Sequence, residues 1–331
     1  MSKLLVCIWF FAQIGASLSQ ACSTFSFQDF HGQTFMSKSF DYYHGKGAVF
    51  INYRNMVKKS LTVNLTDTAH IWKSRFGSFT FSQVGKEFPY GGINEKGLAI
   101  EILWMDEAKY DAGESDKPTV NESQWIQFLL DTSATVDEAI LNSSKVQVRG
   151  IFAKAHYMIC DATSACAVVE FVNGKKEITS GQSLSVKALT NSIYQSPTPE
   201  DDRFLKLAVY LQTNSSDVKD PVAFGFLGLE KVEQPNWSRW QIVYNLSKPQ
   251  IYFRLVGEKD PKHIDLSLFD FASCEAKDAY QDLESLPKNL TLGNMSLLDY
   301  SARVKLMDNL ELPTTIKTLG AVYPTLFTRC E

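Results

Sequence analysis

An apolar run near the amino terminus is followed by Cys22, and this position divides the sequence into a short leader and one long chain. Lys3 precedes the run Leu4–Ile14, which is shorter than the roughly 20 residues needed to cross a bilayer. Ser19 and Ala21 are the small residues that signal peptidase requires just before its cleavage site. The sequence therefore predicts an exported protein whose folded chain starts at Cys22.

A chain that starts at Cys22 carries a thiol and a free α-amine on one residue. An α-amine has a pKa of about 7.7–8.0, so it can accept a proton near neutral pH and activate the thiol as a nucleophile. Two alternatives are that Cys22 is half of a disulfide or carries a lipid anchor. Leu18 lies one position too far from Cys22 for lipidation and Gln20 is bulky, so the lipid anchor is disfavoured.

Composition indicates an ordinary globular domain and excludes several classes of partner. The 331 residues are 44% hydrophobic, which suffices for one large core, and no later apolar run is long enough for a membrane span. A net charge of −4 provides no basic field for nucleic acid or an anionic membrane. The sequence has no Gly-rich phosphate loop, and its five histidines match no metal-binding or papain-like motif. No cofactor is therefore predicted, and a homo-oligomer remains one option.

The cysteines after the predicted leader are odd in number: Cys22, Cys160, Cys166, Cys274 and Cys330. An odd number in an exported protein indicates one free thiol. Cys160 and Cys166 end the two strands of a predicted hairpin, a geometry that suits a disulfide. By elimination we expect Cys274 to pair with Cys330, which leaves Cys22 free.

Hydrophobic periodicity predicts hairpin strands followed by helices. The predicted strands are Cys22–Gln28, Thr34–Phe40, Ala48–Arg54, Phe79–Val84, Leu98–Trp104, Ala155–Cys160, Cys166–Val172, Val186–Thr190, Trp240–Tyr244, Ile251–Leu255 and Ile264–Phe269. The predicted helices are Trp125–Leu130, Val136–Leu141, Asp201–Gln212 and Ser296–Leu310. With no repeat or linker, residues 22–331 are interpreted as one domain after a leader of residues 1–21, with an α+β layered fold.

Five local stretches, taken in order, follow the motif pattern of one known family. They are Cys22 itself, Lys38-Ser39-Phe40-Asp41-Tyr42, Gly92-Ile93-Asn94-Glu95-Lys96-Gly97-Leu98, Leu189-Thr190-Asn191-Ser192 and Asp202-Arg203-Phe204. In this order they resemble the choloylglycine hydrolase/penicillin V acylase family of N-terminal-nucleophile amidohydrolases, and the resemblance extends from Cys22 to about Phe253. It implies a four-layer αββα sandwich with the nucleophile at the end of a central strand.

The resemblance also implies a role for each matched position. The sulfur of Cys22 attacks an amide carbonyl while its α-amine takes the proton, and Asp41 on the paired strand orients that amine. The side chain of Asn191 and the Asn94 turn are implied oxyanion donors, each worth roughly 3–4 kcal/mol in the transition state. Arg203 is implied to organise the acid side of the site. The structural alternatives are a turn residue for Asn94, a solvated carboxylate for Asp41 and a surface ion pair for Arg203.

Lys38 departs from the family pattern, which has arginine at this position. Lysine keeps the positive charge that favours a thiolate but loses the planar fork of a guanidinium. One hypothesis is therefore an exported enzyme that cleaves a non-peptide C–N bond of an N-acylated small molecule, such as penicillin V, a conjugated bile acid, an N-acyl homoserine lactone or a fatty acyl amide. The other is a non-catalytic small-molecule-binding or structural protein on the same scaffold.

Overall fold

The computed structural model describes residues 22–330 apart from 63, 65, 112, 114–115, 152, 199–201, 215–217, 273–277 and 309–327. The predicted leader and Cys274 of the second predicted disulfide lie outside the described residues. The strands are β1 (Ser23–Gln28), β2 (Thr34–Asp41), β3 (Ala48–Asn52), β4 (Met56–Lys59), β5 (Ile71–Lys73), β6 (Ser78–Ser82), β7 (Gly91–Asn94), β8 (Ala99–Trp104), β9 (Thr119–Asn121), β10 (Gln147–Arg149), β11 (Ala155–Cys160), β12 (Cys166–Val172), β13 (Lys175–Ser180), β14 (Ala188–Leu189), β15 (Ser238–Asn245), β16 (Gln250–Leu255), β17 (Lys262–Asp265), β18 (Ala279–Asp282), β19 (Ser296–Leu297) and β20 (Thr328–Cys330). The helices are α1 (Glu122–Thr132), α2 (Val136–Ser143), α3 (Asp202–Asn214), α4 (Pro221–Lys231) and α5 (Tyr300–Asp308).

Two large antiparallel sheets form the centre of the molecule. One has six strands in the order β14-β1-β2-β15-β16-β17, and the other has nine in the order β13-β12-β11-β8-β7-β6-β3-β18-β19. Their consecutive strands are joined largely by hairpins, which is the connection that antiparallel neighbours allow. Strand β1, which follows Cys22 directly, pairs with β14 on one side and β2 on the other. It is therefore an interior strand of its sheet.

Side chains alternate between the two faces of each strand. Each sheet therefore packs against the other sheet on one face and against helices on the other, which gives four layers. Phe25 and Phe27 of β1 point outward and pack under α3 and α4. Met36 of β2 points the other way, into the core between the two sheets. On the far side, Trp125 of α1 packs with Tyr157 of β11 on the outer face of the nine-stranded sheet. Each of these fully buried side chains contributes roughly 1.5–3 kcal/mol. The predicted αββα sandwich is therefore confirmed.

The predicted hairpin disulfide is confirmed. Cys160 and Cys166 are directly opposite each other at the ends of β11 and β12 and are bonded. The turn between them is held by Asp161, whose Oδ1 accepts a hydrogen bond of 2.8 Å from the backbone N–H of Thr163. Its Oδ2 accepts one of 2.8 Å from the backbone N–H of Val136, which ties the hairpin to the start of α2. Among the described residues, Cys22 is a free cysteine.

Sequence periodicity missed α4, which is capped by Asp220 and packs on the six-stranded sheet. Two glycines in this helix weaken a helical prediction, because each costs about 1 kcal/mol in a helix interior. The structure explains their presence. A Cβ at Gly225 would lie 2.7 Å from Ser37 Oγ, and one at Gly228 would lie 2.4 Å from the Phe25 ring. The helix reaches the sheet only because these two side chains are absent.

Other elements have different bounds from those predicted. Gly91–Asn94, which is not among the predicted strands, is strand β7, and the Asn94 turn follows it. The predicted strand Ile264–Phe269 stops at Asp265 and continues as a 3-10 turn. The last helix starts at Tyr300 rather than Ser296. Across the residues that the structure describes, no helix is both long enough and apolar enough to cross a bilayer.

Candidate active site

Cys22 lies immediately before β1 and its side chain is buried between the two sheets. The β1–β2 register pairs Ser23 with Ser39, so Cys22 is adjacent to the carboxyl end of β2, where Asp41 lies. This is the position expected of the nucleophile, at the end of an interior strand. The short turn between the two strands fixes their register, and this register brings the thiol and the carboxylate together.

Arg203 and Asn191 connect the start of β1 with two distant segments. Arg203, in the first turn of α3, donates from Nη1 to the carbonyl oxygen of Cys22 at 2.9 Å and to Ser23 Oγ at 3.2 Å. Its Nη2 donates to Asn191 Oδ1 at 3.0 Å. Asn191 in turn donates from Nδ2 to the carbonyl oxygen of Trp104 at 2.7 Å. The planar fork of the guanidinium thus holds the backbone of Cys22 and the amide of Asn191 in one arrangement.

Asp41 is fully buried beside Cys22. Its Oδ1 accepts hydrogen bonds from the hydroxyls of Ser39 and Ser238, the latter at 2.6 Å. Its Oδ2 accepts none from the residues that the structure describes. Burial raises the pKa of Asp41 to about 6, against the opposing effect of the Ser238 and Ser39 hydrogen bonds. A buried carboxylate oxygen without a donor is costly, so a cationic or N–H group beside it would be stabilised.

The surroundings of Cys22 act on its thiol in opposite directions. Burial raises the pKa of the Cys22 thiol, and the negative charge of Asp41 adds to this increase. The positive charge of Lys38 lowers it, as do a hydrogen bond from the backbone N–H of Asp41 and the charge of Arg203. The thiolate is therefore disfavoured by desolvation and favoured by two cations, and any further cation would favour it more.

Lys38 is buried near Cys22 and also interacts with a carboxylate, Glu101, that sequence analysis missed. Its Nζ donates to the carbonyl oxygen of Ile102 at 2.5 Å and lies 3.8 Å from Glu101 Oε2. Tyr244 donates from its hydroxyl to Glu101 Oε1 at 2.5 Å. A Cβ at residue 91 would lie 2.2 Å from Glu101 Oε2, so Gly91 provides the space for this carboxylate. Burial raises the pKa of Glu101 to about 7, although Lys38 and Tyr244 oppose the increase.

The prediction that the Asn94 turn supplies a donor to this site is wrong. Asn94 donates both amide hydrogens to carbonyl oxygens at the end of α1, those of Leu130 and Ser133. Its Oδ1 accepts from the backbone N–H groups of Lys96 and Leu98, and its own N–H bonds to Leu98 O. The turn also lies at the opposite end of β8 from Trp104, roughly 20 Å away along the strand. Asn94 is therefore a structural turn residue.

The other five predicted site residues do come together, around one end of β1: Cys22, Lys38, Asp41, Asn191 and Arg203. Their catalytic roles remain predictions. Glu101, Ser238 and the carbonyl oxygen of Trp104 are additional parts of the site. A signal for Glu101 was present in the sequence, since it is a lone charge within an otherwise apolar strand. Within the described residues no three His, Cys, Asp or Glu side chains are grouped closely enough to hold a metal ion.

An αββα sandwich with a cysteine at the head of an interior strand defines the architecture of the N-terminal-nucleophile hydrolases. A model of one family of this class, the linear amide C–N hydrolases of the choloylglycine hydrolase family, matches residues 22–198, more than half of the chain. The chain belongs to the choloylglycine hydrolase family. The match begins at Cys22 itself.

Relatives of known name agree with this assignment. The chain is 28% identical over 225 residues to penicillin V acylase of Pectobacterium atrosepticum, an alignment that covers 63% of this chain. It spans 57% of that relative's length. The fold matches penicillin V acylase from Agrobacterium tumefaciens with a TM-score of 0.71 and 21% identity, over 83% of this chain and 97% of that one. It matches a mutant conjugated bile acid hydrolase from Clostridium perfringens with a TM-score of 0.65 and 15% identity, over 82% and 98%. At these identities the structural matches establish the fold alone.

Proposed function

We propose that the protein is an exported amidohydrolase that uses Cys22 as an N-terminal nucleophile. It would cleave a non-peptide C–N bond in an N-acylated small molecule. The observation that carries this proposal is the arrangement of charged and amide side chains around Cys22, held by the hydrogen bonds of Arg203 to Cys22 O and Asn191 Oδ1. Membership of a family of linear amide hydrolases supports the same reaction type.

Asp41 supports a role for the amino group of Cys22. Removal of residues 1–21 converts the nitrogen of Cys22 from an amide into an α-amine, next to the buried carboxylate of Asp41. Asp41 Oδ2, which accepts no hydrogen bond within the described part of the chain, provides an acceptor for this amine. Holding the amine there orients it toward the thiol of the same residue.

The reaction would then proceed in two steps. The α-amine takes the thiol proton, and the sulfur of Cys22 attacks the amide carbonyl to form a C–S bond and a tetrahedral oxyanion. The protonated amine returns its proton to the leaving nitrogen as the C–N bond breaks, which leaves a thioester. Water, deprotonated by the same amine, attacks the thioester and releases the carboxylic acid together with the regenerated thiol.

Asn191 and Lys38 would stabilise the two negative charges in this sequence. Asn191 is fixed at both ends of its amide by Trp104 and Arg203, so its side chain is preorganised as a donor to the oxyanion. Such a donor is worth roughly 3–4 kcal/mol in the transition state. Lys38 is the largest of the influences that lower the Cys22 pKa, so lysine performs the electrostatic part of the arginine's role.

The aromatic side chains beside Asp41 favour a substrate with an apolar acyl group. Phe40 stacks on Trp240 with ring centroids 3.9 Å apart and on Tyr90 at 5.8 Å. Tyr42 and the half-exposed Tyr43 extend this aromatic group toward solvent. The relatives' names point to penicillin V and conjugated bile acids as first substrates. Together with an N-acyl homoserine lactone and a fatty acyl amide, these two compounds form a panel of test substrates that differ in the acyl group and in the amine.

The test combines processing with turnover. Amino-terminal sequencing and intact mass of the exported protein should show an unmodified Cys22 as the first residue. This protein should hydrolyse at least one member of the panel, the Cys22→Ala variant none, and Cys22→Ser little or none. Undiminished hydrolysis by Cys22→Ala, or hydrolysis by protein that keeps a lipid or leader residues on Cys22, would refute the mechanism. Tight binding of a panel member without turnover would favour the non-catalytic alternative.

A further inference from the structure

A buried histidine–carboxylate pair lies next to the proposed site and has no part in the mechanism above. His156 of β11 and Glu170 of β12 are on adjacent strands of the nine-stranded sheet, and both are buried. His156 Nδ1 lies 3.0 Å from Glu170 Oε1. Buried ionisable side chains are costly unless each is paired and hydrogen-bonded, so the contacts that this pair makes elsewhere need an explanation.

The other contacts of the pair all reach one short segment, residues 190–194. His156 Nε2 lies 2.7 Å from the carbonyl oxygen of Thr190. The backbone N–H of Tyr194 donates to Glu170 Oε1 at 3.0 Å. The first and last residues of the segment are therefore held by the two members of one pair, and Asn191 lies between them.

The hydrogen bonds of the pair depend on a carboxyl group at residue 170. The carbonyl oxygen of Thr190 can only accept, so His156 Nε2 must carry a hydrogen. The remaining contact, between Nδ1 and Glu170 Oε1, then needs one more hydrogen on either atom. A carboxyl group provides for this, either as a carboxylate facing an imidazolium or as an acid facing a neutral imidazole. A neutral amide at residue 170 cannot serve both contacts of Oε1: its oxygen there would face the unprotonated Nδ1 of a neutral imidazole, and its NH2 group there would face the N–H of Tyr194.

We propose that His156 and Glu170 are positioning residues that set the side-chain amide of Asn191 for the oxyanion. This inference rests on the proposed function for the role of Asn191. The carbonyl of Thr190 belongs to the peptide group that leads into Asn191, so a displacement there moves the amide away from its contacts with Trp104 and Arg203. Electrostatic stabilisation of an oxyanion depends on donors placed within a few tenths of an ångström, and the pair supplies that constraint from the rigid sheet.

A double-mutant cycle tests the proposal. Glu170→Gln should lower kcat about 10- to 100-fold with little change in KM, as expected when an oxyanion donor is misplaced. In an Asn191→Ala background the same change should lower kcat no further, because the group that it positions is absent. The matched control is Glu177→Gln, which removes the same charge from the exposed residue opposite Glu170 on β13 and should leave kcat unchanged. If Glu170→Gln does not fold, Glu170→Asp, which keeps the charge but shortens the reach, takes its place in the cycle.

A second readout separates this inference from the proposed function. Hydrogen exchange of the backbone amides of residues 190–194 should be faster in Glu170→Gln than in Glu177→Gln, whether or not the protein is an amidase. A wild-type chain that hydrolyses no amide would refute the proposed function, and exchange alone would then decide whether the pair holds the segment. Equal losses of kcat in both backgrounds, or unchanged exchange of the segment, would overturn the positioning role.

Discussion

Replacing Glu101 by glutamine should make the protein more stable at alkaline pH, although it removes a buried ion pair. Glu101 is fully buried, and its carboxyl group lies 3.8 Å from the ammonium of Lys38. At an effective dielectric constant of about 20, this attraction is worth about 4 kcal/mol. Burial nevertheless raises the pKa of Glu101 from 4.5 to about 7, so desolvation outweighs Lys38 and Tyr244 together.

The pKa of Glu101 sets the size and the sign of the effect. Because the folded pKa is above the unfolded one, the folded chain binds this proton more tightly. The resulting stabilisation is complete below pH 4.5 and is lost as the pH rises through about 7. Each pH unit between the two values is worth about 1.4 kcal/mol, so the total loss is about 3 kcal/mol. Glutamine has the shape of the protonated acid and does not titrate, so Glu101→Gln should not lose this contribution.

The assay is urea unfolding followed by tryptophan fluorescence at several pH values between about 4.5 and 8.5, at constant ionic strength. Wild type and Glu101→Gln should be equally stable at the acidic end, and the variant should be more stable by about 3 kcal/mol at the alkaline end. Asp41 also titrates in this range but is present in both proteins, so the difference reports Glu101 alone. The exposed Glu107→Gln serves as the control. A Glu101→Gln variant that is less stable than wild type at high pH would show that the attraction to Lys38 outweighs the desolvation of the Glu101 carboxylate.

Three further predictions follow from the site and the fold. Lys38→Met should lower kcat and raise the pKa of the Cys22 thiol, which is measured from alkylation rates against pH with Lys38→Arg as the control. An unchanged titration of the Cys22 thiol would contradict the electrostatic role assigned to Lys38. Asn94→Ala should lower the unfolding free energy by about 2–4 kcal/mol while the folded fraction keeps its kcat, and a large loss of kcat without destabilisation would restore Asn94 to the site. Opening the disulfide in Cys160→Ser/Cys166→Ser should cost about 2 kcal/mol and leave turnover intact, which thermal unfolding and activity measurements together can check.

The features that the sequence predicted correctly depend on residues close together in the chain. Asn121 caps α1 by accepting from the N–H groups of Ser123 and Gln124, and Thr135 caps α2, as their positions before apolar periodic runs predict. The β11–β12 hairpin and its disulfide also form over a few residues. Alternation and a short turn therefore sufficed for the β1–β2 hairpin, which places Asp41 on the strand paired with that of Cys22, whereas the two-sheet sandwich was implied by the family resemblance.

The features that the sequence did not reveal depend on partners far apart in the chain. Glu101 is explained by Lys38, 63 positions earlier and on the facing sheet. The glycines of α4 make sense only against β1 and β2, which they contact. Asn94 matched a motif, but a motif match does not say which side of the sheet its amide contacts. Its hydrogen bonds to α1 show that the match reports a turn that the fold needs.

The charges around Cys22 connect the proposed removal of the leader with the proposed activation of the thiol. With residues 1–21 attached, the buried site holds two cations, Lys38 and Arg203, against two carboxyl groups, Asp41 and Glu101. A Cys22 thiolate would be an uncompensated buried negative charge in that state, in keeping with the raised pKa of the thiol. If the leader is removed as proposed, the α-amine adds one positive charge beside Asp41, and the thiolate becomes the anion that balances it. The thiol should therefore be poorly reactive in the precursor and should gain reactivity only when cleavage exposes the nitrogen of Cys22.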